Sequence, residues 1–240
     1  RNVQAQQRRK AQGLPAAGVN MHMIFTGNPG TGKTTIARIL AKYLKAIGAL
    51  RGGQLVEVTR ADLVGRYVGH TAPLTNSVIQ SARGGVLFID EAYSLYRGGE
   101  DSFGLEAIDT LVKGIEDHRQ DLVVILAGYS REMEQFLGAN SGLASRFPNQ
   151  IEFPDYTGEE LYRITLSLAK SKGYALEENC RAPLTEWYDR KQQADADTNG
   201  NGRMARNALE KAILNQSRRL IADPGADLEQ LLPGDFELDE

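Results

Sequence analysis

Between residues 21 and 153, short runs rich in apolar residues alternate with longer segments in which apolar residues recur every three or four positions. Short apolar runs are typical of strands, and the longer segments are typical of helices that pack on a sheet. The predicted strands are Met23–Thr26, Leu55–Val58, Val86–Ile89, Leu122–Leu126 and the shorter Ile151–Phe153. This alternation predicts an α/β fold, in which crossover helices join the strands of a parallel sheet.

The strand pattern ends at Phe153, and the rest of the chain carries helical patterns only. These helices are predicted at Gly158–Lys172, Pro183–Ala194 and Arg203–Ile221. The acidic stretch over residues 195–202 lacks the closing Glu of a Ca²⁺-binding loop, so we predict a plain loop there. The expected organisation is a helix end and linker over residues 1–20, an α/β domain over 21–154, a small all-helical domain over 155–222 and a C-terminal tail over 223–240.

The segment Gly27–Thr34, which follows the first predicted strand, reads GNPGTGKT, the G-x-x-x-x-G-K-[ST] pattern of a phosphate-binding loop. Its glycines allow successive N–H groups to point at an anion, Lys33 can reach the β- and γ-phosphates, and the Thr34 hydroxyl can ligate Mg²⁺. The sequence therefore predicts nucleoside triphosphate binding through Gly27, Asn28, Pro29, Gly30, Thr31, Gly32, Lys33, Thr34 and Thr35. The helix after the loop has apolar residues at helical spacing that we expect to face the sheet: Ile36, Ile39, Leu40, Tyr43, Leu44 and Ile47.

Two carboxylates close the third predicted strand, because Asp90 and Glu91 directly follow Val86–Ile89. In a parallel sheet this places both acids at the carboxyl edge, where the phosphate loop also lies. Asp90 would orient Mg²⁺, directly or through a water molecule, and Glu91 would polarise the attacking water. A metal-binding Asp followed by Glu predicts a protein that hydrolyses its nucleotide.

The phosphate-loop class offers three alternatives to this interpretation. A GTPase is expected to carry an N/T-K-x-D segment that recognises guanine, and the sequence has none. A small-molecule kinase needs an acceptor site and a lid, and the Asp-Glu pair is less typical of one. A recombinase-type ATPase stays open at this point, although the helical C-terminal part fits it poorly.

Composition and charge narrow the range of partners. The formal charge of −3, the pI near 5.8 and the scattered basic residues argue against a nucleic-acid partner. The one cysteine, Cys180, excludes an internal disulfide and favours a reducing compartment. The sequence shows no signal peptide and no apolar run long enough to cross a membrane, so we expect no membrane span and a cytoplasmic location.

Several motifs together resemble those of one known family. The stretches GNPGTGKT, VLFIDEAYSL, RADLVGRYVGHTAPLT, AGYSREM, GLASRFP, EFPDY and NGRMARNALEKA resemble the AAA+ ATPases of the CbbX and stage V sporulation protein K group, from about Met21 to Ile221. Within this group, FGLEAIDTLV and SREMEQFL look most like the sporulation branch. The resemblance implies ATP as the nucleotide, a helical lid after the α/β domain, and a homo-hexameric ring with nucleotide at the subunit interfaces.

The resemblance also implies roles for arginines outside the phosphate loop. Arg146 matches the arginine finger, which reaches into the neighbouring subunit's site and stabilises charge on the γ-phosphate. Arg203 matches the second sensor, an arginine that opens a lid helix and points at the γ-phosphate, with Arg206 as the alternative. Together with Lys33 and Glu91, Arg146 completes the expected catalytic set.

Three further residues, Tyr67, Val68 and Gly69, match the family's aromatic-hydrophobic-glycine pore loop. There an aromatic ring grips extended peptide, and glycine keeps the loop mobile. One position departs from the pattern. Many AAA+ proteins end the fourth strand with a polar Asn or Thr that senses the attacking water, whereas here Tyr129 or Ser130 must serve, or the role is weakened.

Two functions from different classes remain at this stage. The first is a hexameric, chaperone-like ATPase that pulls on an unidentified protein client through a central pore. The alternative is an ATP-dependent switch or assembly scaffold without threading activity. Tyr67 and Glu91 favour the first. Because the sequence begins at Arg1 rather than Met, we expect that it lacks the preceding segment that helps to cradle adenine in the family, so no adenine contacts are predicted.

Overall fold

The computed structural model of the chain describes residues 1–15, 18–195, 198, 200–223 and 225–238. By internal contacts the chain divides into two compact units. The first comprises Arg1–Gly27 and Lys33–Phe153, and the second comprises Asn28–Gly32 and Pro154–Glu240. Among the described residues, no helix combines the length and the apolar character needed to span a bilayer.

The first unit contains an α/β arrangement of short strands and helices. Its helices are α1 (Asn2–Ala11), α2 (Lys33–Ala46), α3 (Arg60–Leu63), α4 (Thr71–Ala82), α5 (Ser102–Asp117), α6 (Ser130–Ala139) and α7 (Ser141–Ala144). Its strands are β1 (Met23–Thr26), β2 (Leu55–Val58), β3 (Val86–Ile89), β4 (Val123–Gly128) and β5 (Asn149–Glu152). The predicted strands are therefore present, with β4 displaced slightly toward the C-terminus and β5 toward the N-terminus.

These strands form one parallel sheet in the order β2-β3-β4-β1-β5, which confirms the predicted α/β class. β4 lies between β3 and β1, so Ile89 pairs with Leu126 and Thr26 pairs with Gly128. The carboxyl ends of β1, β3 and β4 consequently meet at one edge of the sheet. The loops that follow these strands carry the predicted site residues.

Both faces of the sheet are buried, as expected for a parallel sheet covered by crossover helices. Along β3, Val86 and Phe88 join the core beneath α2, whereas Leu87 and Ile89 join the core beneath α4 and α5. Because side chains alternate along a strand, Asp90 continues on the side of Val86 and Phe88. The alternation thus directs the first carboxylate toward the α2 side of the sheet.

The face of α2 that meets the sheet differs from the prediction. Its buried positions are Ala37, Ala41 and Leu44, while Leu40 and Ile47 are partly buried against the same core. Ile36, Ile39 and Tyr43 are instead exposed, by 44% to 57%. The prediction was wrong for these three residues because the small alanines let the helix approach the strands closely. α2 therefore carries an exposed apolar stripe.

The second unit is mainly helical and confirms the predicted helical lid. Its helices are α8 (Gly158–Ser171), α9 (Arg181–Asp195) and α10 (Gly202–Ala222). A capping box begins α8, since the Thr157 hydroxyl accepts from Glu160 N at 3.2 Å and the Glu160 carboxylate accepts from Thr157 N at 2.9 Å. The three helices pack around a core that includes Leu161, Tyr188 and Leu209. Residues 196, 197 and 199 of the predicted acidic loop lie outside the described residues.

Two expectations about the C-terminal part were wrong. First, strands do occur after Phe153, because β6 (Ala175–Leu176) and β7 (Gln230–Leu231) pair in parallel. Second, the described residues after Asp223 are not a simple tail, because Leu231 and Phe236 are buried in the same core as the helices. The physical reason is that apolar side chains so close to the chain end can still complete a small core.

An ion pair fixes this C-terminal segment to α10. Arg219 donates to both carboxylate oxygens of Asp235 at 3.0 Å, and Leu232 N donates to Asp235 Oδ2 at 2.8 Å. Asp235 is almost completely buried. A bidentate arginine–carboxylate pair specifies geometry as well as charge, so the described residues 225–238 belong structurally to the lid.

Candidate functional site

The predicted phosphate loop is the turn between β1 and α2. Gly27, Gly30 and Gly32 have φ angles of 144°, 73° and 95°, values that residues with side chains rarely adopt. A Cβ atom would lie 2.3 Å from Phe153 O at Gly27 and 2.0 Å from Gly200 O at Gly30. Glycine is therefore required at these positions by conformation and by close backbone approach. Lys33 begins α2, so the positive end of that helix lies at the loop.

Two carbonyl groups of the loop accept bonds from the loop's own side chains. Gly27 O accepts from Lys33 Nζ at 2.7 Å, and Asn28 O accepts from Thr31 Oγ1 at 2.8 Å. The Lys33 ammonium, which is half-buried, is thus oriented along the loop rather than extended into solvent. Thr35, also predicted to contact nucleotide, is exposed in the first turn of α2.

The next three carbonyl groups of the loop accept from residues that follow β5 in sequence. Asn201 Nδ2 donates to Pro29 O at 3.3 Å, and Gly202 N donates to Gly30 O at 2.9 Å. The Tyr156 hydroxyl donates to Thr31 O at 2.8 Å. These contacts lie within the second unit, which includes residues 28–32. Neither Tyr156 nor Asn201 was predicted to be a site residue.

Thr34, the predicted metal ligand, lies beside a carboxylate that was not predicted to be part of the site, Glu57. Its hydroxyl donates to Glu57 Oε1 at 3.4 Å. Glu57 projects from β2 and is also 4.0 Å from Arg38 Nη2. The sequence feature that could have indicated Glu57 is its position as an acidic residue inside the otherwise apolar strand β2.

Asp90 and Glu91 lie at the carboxyl end of β3, as the sequence predicts for a strand closed by acids. Asp90 N donates to Val58 O at 2.9 Å, which extends the pairing of β3 with β2 by one residue. Asp90 Oδ1 accepts from Glu91 N at 2.9 Å. Glu91 is exposed and has φ 48° and ψ 45°, a left-handed conformation that costs about 1–2 kcal/mol for a residue with a side chain. Such local strain is often found at functional sites.

The two candidates for the first sensor follow β4, which separates β3 from β1. Tyr129 is half-buried and stacks on Tyr93, with ring centroids 5.9 Å apart, whereas Ser130 is exposed at the start of α6. Burial, with smaller contributions led by Glu91, raises the pKa of Tyr93 far above its ordinary value. The Tyr93 hydroxyl therefore stays protonated, and the choice between Tyr129 and Ser130 stays open.

Arg146 follows α7 and is paired within its own chain. Its Nη2 lies 2.5 Å from Glu116 Oε1, and its Nη1 donates to Gly142 O. The Nε atom is buried and has no hydrogen-bond partner. Glu116 is largely exposed, so the pair lies at the surface of this unit. This ion pair joins residues 30 positions apart and was not predicted.

Arg203 and Arg206, the candidates for the second sensor, lie in the first two turns of α10 and are both exposed. Arg203 N donates to Gly200 O at 2.8 Å, which fixes the helix start. The neighbouring Asn201 is completely buried and has φ 46°. The buried residue at this helix start is therefore Asn201, two positions before the predicted sensor Arg203.

The Tyr67–Gly69 segment is an exposed loop between α3 and α4. Tyr67 and Val68 are 68% and 87% exposed, and the Tyr67 ring has one edge contact, with His70 at 5.5 Å between centroids. Gly69 has φ 81°, and a Cβ atom there would have no neighbour within 4 Å. Tyr67 is therefore available for contact with another molecule.

The base of this loop is fixed even though its tip is exposed. Arg60 donates to Asp101 Oδ2 at 2.7 Å and to Ser94 O at 2.9 Å. The hydrogen bond from Arg60 lowers the pKa of Asp101, so the carboxylate stays charged. At the other side of the loop, Gly65 N donates to Thr71 Oγ1 at 3.0 Å. The loop thus presents an aromatic tip on an ordered base.

The donor set of the site fits Mg²⁺ bound together with phosphates. The described part of the chain contains no cluster of three or more His, Cys, Asp or Glu side chains able to hold a metal by itself. Mg²⁺ in nucleotide sites needs only one or two protein oxygens, because phosphates and water complete its octahedron. Thr34 and Asp90 can supply a hydroxyl and a carboxylate, which are suitable ligands for this ion.

A phosphate loop at the end of one strand of a parallel sheet, with acids at the end of another strand of that sheet, is typical of a nucleotide-hydrolysing domain. Comparison with known proteins identifies the class more narrowly. Residues 23–155 match the ATPase family associated with various cellular activities, AAA, and residues 157–240 match the AAA lid domain. The chain belongs to the AAA ATPase family, whose reaction is the hydrolysis of ATP.

Individual relatives confirm the resemblance noted in the sequence. Stage V sporulation protein K of Bacillus subtilis is 48% identical over 90% of this chain and 67% of its own length. Protein CbbX of Cereibacter sphaeroides is 46% identical over 92% of this chain and 71% of its own. Chloroplastic ribulose bisphosphate carboxylase/oxygenase activase of Cyanidioschyzon merolae is 45% identical over 92% of this chain and 75% of its own.

Solved structures confirm the fold. The crystal structure of the FIGL-1 AAA domain superposes with a TM-score of 0.67 at 20% identity, covering 98% of this chain and 74% of its own. A RuvB mutant from Thermotoga maritima superposes with a TM-score of 0.62 at 22% identity, covering 97% of this chain and 64% of its own. At these identities the likeness concerns the fold alone.

Proposed function

We propose that this chain is an Mg²⁺-dependent ATPase that assembles into a homo-hexameric ring and pulls a protein client through the central pore. The observation that carries the proposal is the exposed Tyr67 at the tip of an anchored loop, in a chain that belongs to the AAA ATPase family. An exposed aromatic ring can contact extended peptide of varied sequence through its broad apolar face.

In the proposed mechanism, four residues at the sheet edge bind phosphate, hold the metal and activate water. Lys33 neutralises charge on the β- and γ-phosphates, and Thr34 and Asp90 hold Mg²⁺. Glu91 orients and polarises the attacking water. Bound Mg²⁺ would neutralise charge on the phosphates as the terminal bond breaks.

The proposed ring places a neighbouring subunit beside each site. Arg146 would then act in trans on the γ-phosphate, and Arg203 would act from the lid of the same chain. The ion pair with Glu116 does not prevent this role, because exposed ion pairs contribute no more than about 1 kcal/mol. The exposed stripe of Ile36, Ile39 and Tyr43 on α2 supports assembly, since contact with another subunit would remove these side chains from water.

The proposed client is a protein, and the proposed place of action is the cytoplasm. Relatives named for sporulation and for activation of ribulose bisphosphate carboxylase/oxygenase match this chain almost equally well. The proposal is therefore restricted to the part that both could share, mechanical work on a protein. The free thiol of Cys180 is compatible with a reducing compartment.

A Tyr67→Ala variant separates this proposal from the alternative of an ATP-dependent switch or scaffold. We expect basal ATPase activity within twofold of the unsubstituted chain, because Tyr67 lies on a loop remote in sequence from the residues assigned to phosphate and metal. Stimulation of ATPase by carboxymethylated casein, a permanently unfolded polypeptide, should be lost, because alanine offers no ring to grip the chain. Tyr67→Phe should retain stimulation.

Thermal unfolding provides the control for this experiment. An unchanged midpoint with casein stimulation lost supports the pore role of Tyr67. Full stimulation in Tyr67→Ala would favour the switch, and a lowered midpoint with ATPase also lost would show that Tyr67 merely stabilises its loop.

A further inference from the structure

The phosphate loop and the start of α10 are joined by a polar network with Asn201 at its centre. Asn201 Nδ2 donates to Pro29 O at 3.3 Å and to Asp155 Oδ1 at 2.9 Å. Its Oδ1 accepts from Tyr156 N at 2.9 Å and from Gln192 Nε2 at 2.8 Å. A side-chain amide offers two donors and one oxygen with two lone pairs, so the capacity of Asn201 is fully used.

Asp155 extends the same network to the beginning of the loop. Both of its carboxylate oxygens accept from Asn28 Nδ2 at 3.1 Å, while Oδ1 also accepts from Asn201. Asn201 itself is completely buried and has φ 46° and ψ −113°, a conformation that residues with a side chain rarely adopt. A loss of this residue would leave several buried polar groups without a partner.

Tyr156 makes a second, separate connection to the loop. Its hydroxyl donates to Thr31 O at 2.8 Å, and a Cβ atom built on Gly32 would lie 3.0 Å from the same hydroxyl. Burial raises the pKa of Tyr156, which keeps the hydroxyl protonated and able to donate. Gly202 N also donates to Gly30 O. The carbonyls of residues 29–31 therefore all accept hydrogen bonds from Tyr156 or from residues 201–202.

These bonds determine which way the loop presents its N–H groups. In a planar trans peptide the C=O bond and the following N–H bond point in opposite directions. Carbonyls of residues 29–31 that point at Asn201, Gly202 and Tyr156 therefore turn the N–H groups of residues 30–32 the other way. Converging N–H groups are what an anion-binding loop needs.

We propose that Tyr156 and Asn201 are positioning residues for the nucleotide, which hold the loop carbonyls so that the loop keeps its phosphate-binding conformation. This inference rests on the proposed role of Gly27–Thr34 in binding phosphate. Nucleotide affinity and order at the start of α10 are then coupled. Because coupling between two equilibria is reciprocal, bound nucleotide must stabilise these contacts as much as they favour nucleotide.

A Tyr156→Phe substitution tests the proposal, with Tyr188→Phe as the matched control. Each variant removes one half- or fully buried hydroxyl from the second unit, but Tyr188 bonds to Thr165 at 2.7 Å, inside the helical core. We expect Tyr156→Phe to raise the Kd of a ribose-labelled fluorescent ADP about fivefold, the equivalent of one ordinary hydrogen bond. Tyr188→Phe should leave that Kd within about 1.5-fold. Both variants should lower thermal stability by similar amounts, because each loses one buried hydrogen bond.

Amide hydrogen exchange supplies a readout that a purely structural role would not change. ADP should slow exchange at Gly202 N–H, which donates to Gly30 O. The slowing should be smaller in Tyr156→Phe and unchanged in Tyr188→Phe. A second substitution, Asn201→Gly, tolerates the positive φ angle but removes all four side-chain bonds, and it should raise the Kd more than Tyr156→Phe does.

Two results would overturn the inference alone, namely an unchanged ADP Kd in Tyr156→Phe or an equal rise in Tyr188→Phe. The unsubstituted chain distinguishes this failure from that of the phosphate-site assignment. If it does not bind ADP, both are wrong; if it binds ADP and Tyr156→Phe binds equally well, only the positioning role is wrong.

Discussion

Lowering the pH from 7 to 4.5 should destabilise the α/β unit through one residue, His22. Its side chain is 5% exposed, and its Nδ1 accepts a hydrogen bond from Val124 N at 3.0 Å. Protonation of Nδ1 would destroy this bond and leave two donors facing each other. Burial accordingly lowers the pKa of His22 to about 4.

The sign and size of the effect follow from the difference between the two states. An unfolded chain protonates histidine near pH 6.5, so between pH 6.5 and 4 the unfolded state binds more protons than the folded one. Stability due to neutral His22 is complete above that range and is lost as the pH falls through it. A difference of about 2.5 units in pKa amounts to about 3 kcal/mol, a large share of the 5–15 kcal/mol typical of a domain.

The assay compares urea unfolding of the unsubstituted chain and His22→Asn at several pH values, followed by circular dichroism. Asparagine keeps an acceptor for Val124 N–H but does not titrate, so the difference in unfolding free energy should shrink as the pH falls from 7 to 4.5. Fluorescence of Trp187, which lies in the second unit, serves as an internal control. The reasoning is refuted if the two proteins lose stability in parallel over this range.

Two predictions concern Arg146. Arg146→Ala should leave ATP affinity within a few-fold but lower turnover about a thousandfold, and mixing it with Lys33→Ala subunits should restore activity that neither variant has alone; mixed rings that assemble but stay inactive would exclude action in trans. Glu116→Gln, which removes only the surface ion-pair partner, should change turnover by less than about fivefold, measured by phosphate release, and a loss as large as that of Arg146→Ala would show that Glu116 is itself needed.

The sheet was predictable because its physics is local. Strands such as β3 are buried on both faces, so their apolar runs and the acids that close them are visible in the sequence. The glycines of the phosphate loop were predictable in part for the same reason, because their positive φ angles are a local backbone requirement, whereas the close approach of Phe153 O to Gly27 and of Gly200 O to Gly30 is not local. These features predicted the elements next to which Lys33, Thr34, Asp90 and Glu91 lie, while the chemical roles of these four residues stay predictions.

The features that the sequence did not reveal depend on distant partners. Asn201 contacts a loop residue 172 positions earlier, and Tyr156 contacts one 125 positions earlier, so no periodic pattern marks them. The pairing of Arg146 with Glu116 is equally non-local. On α2, helical spacing identifies the apolar residues but not which of them face the sheet. The prediction was wrong for Ile36 and Ile39 because alanines of α2 contact the sheet instead.

Comparison of Glu91→Gln with Lys33→Ala tests the central claim most directly. Fluorescent ATP binding and phosphate release are measured on both variants and on the unsubstituted chain. The proposed roles predict that Glu91→Gln binds ATP normally but hydrolyses it far more slowly, because the metal site survives without the water-activating acid, and that Lys33→Ala does not bind ATP. Equal loss of binding in both variants, or normal hydrolysis by Glu91→Gln, would contradict the account.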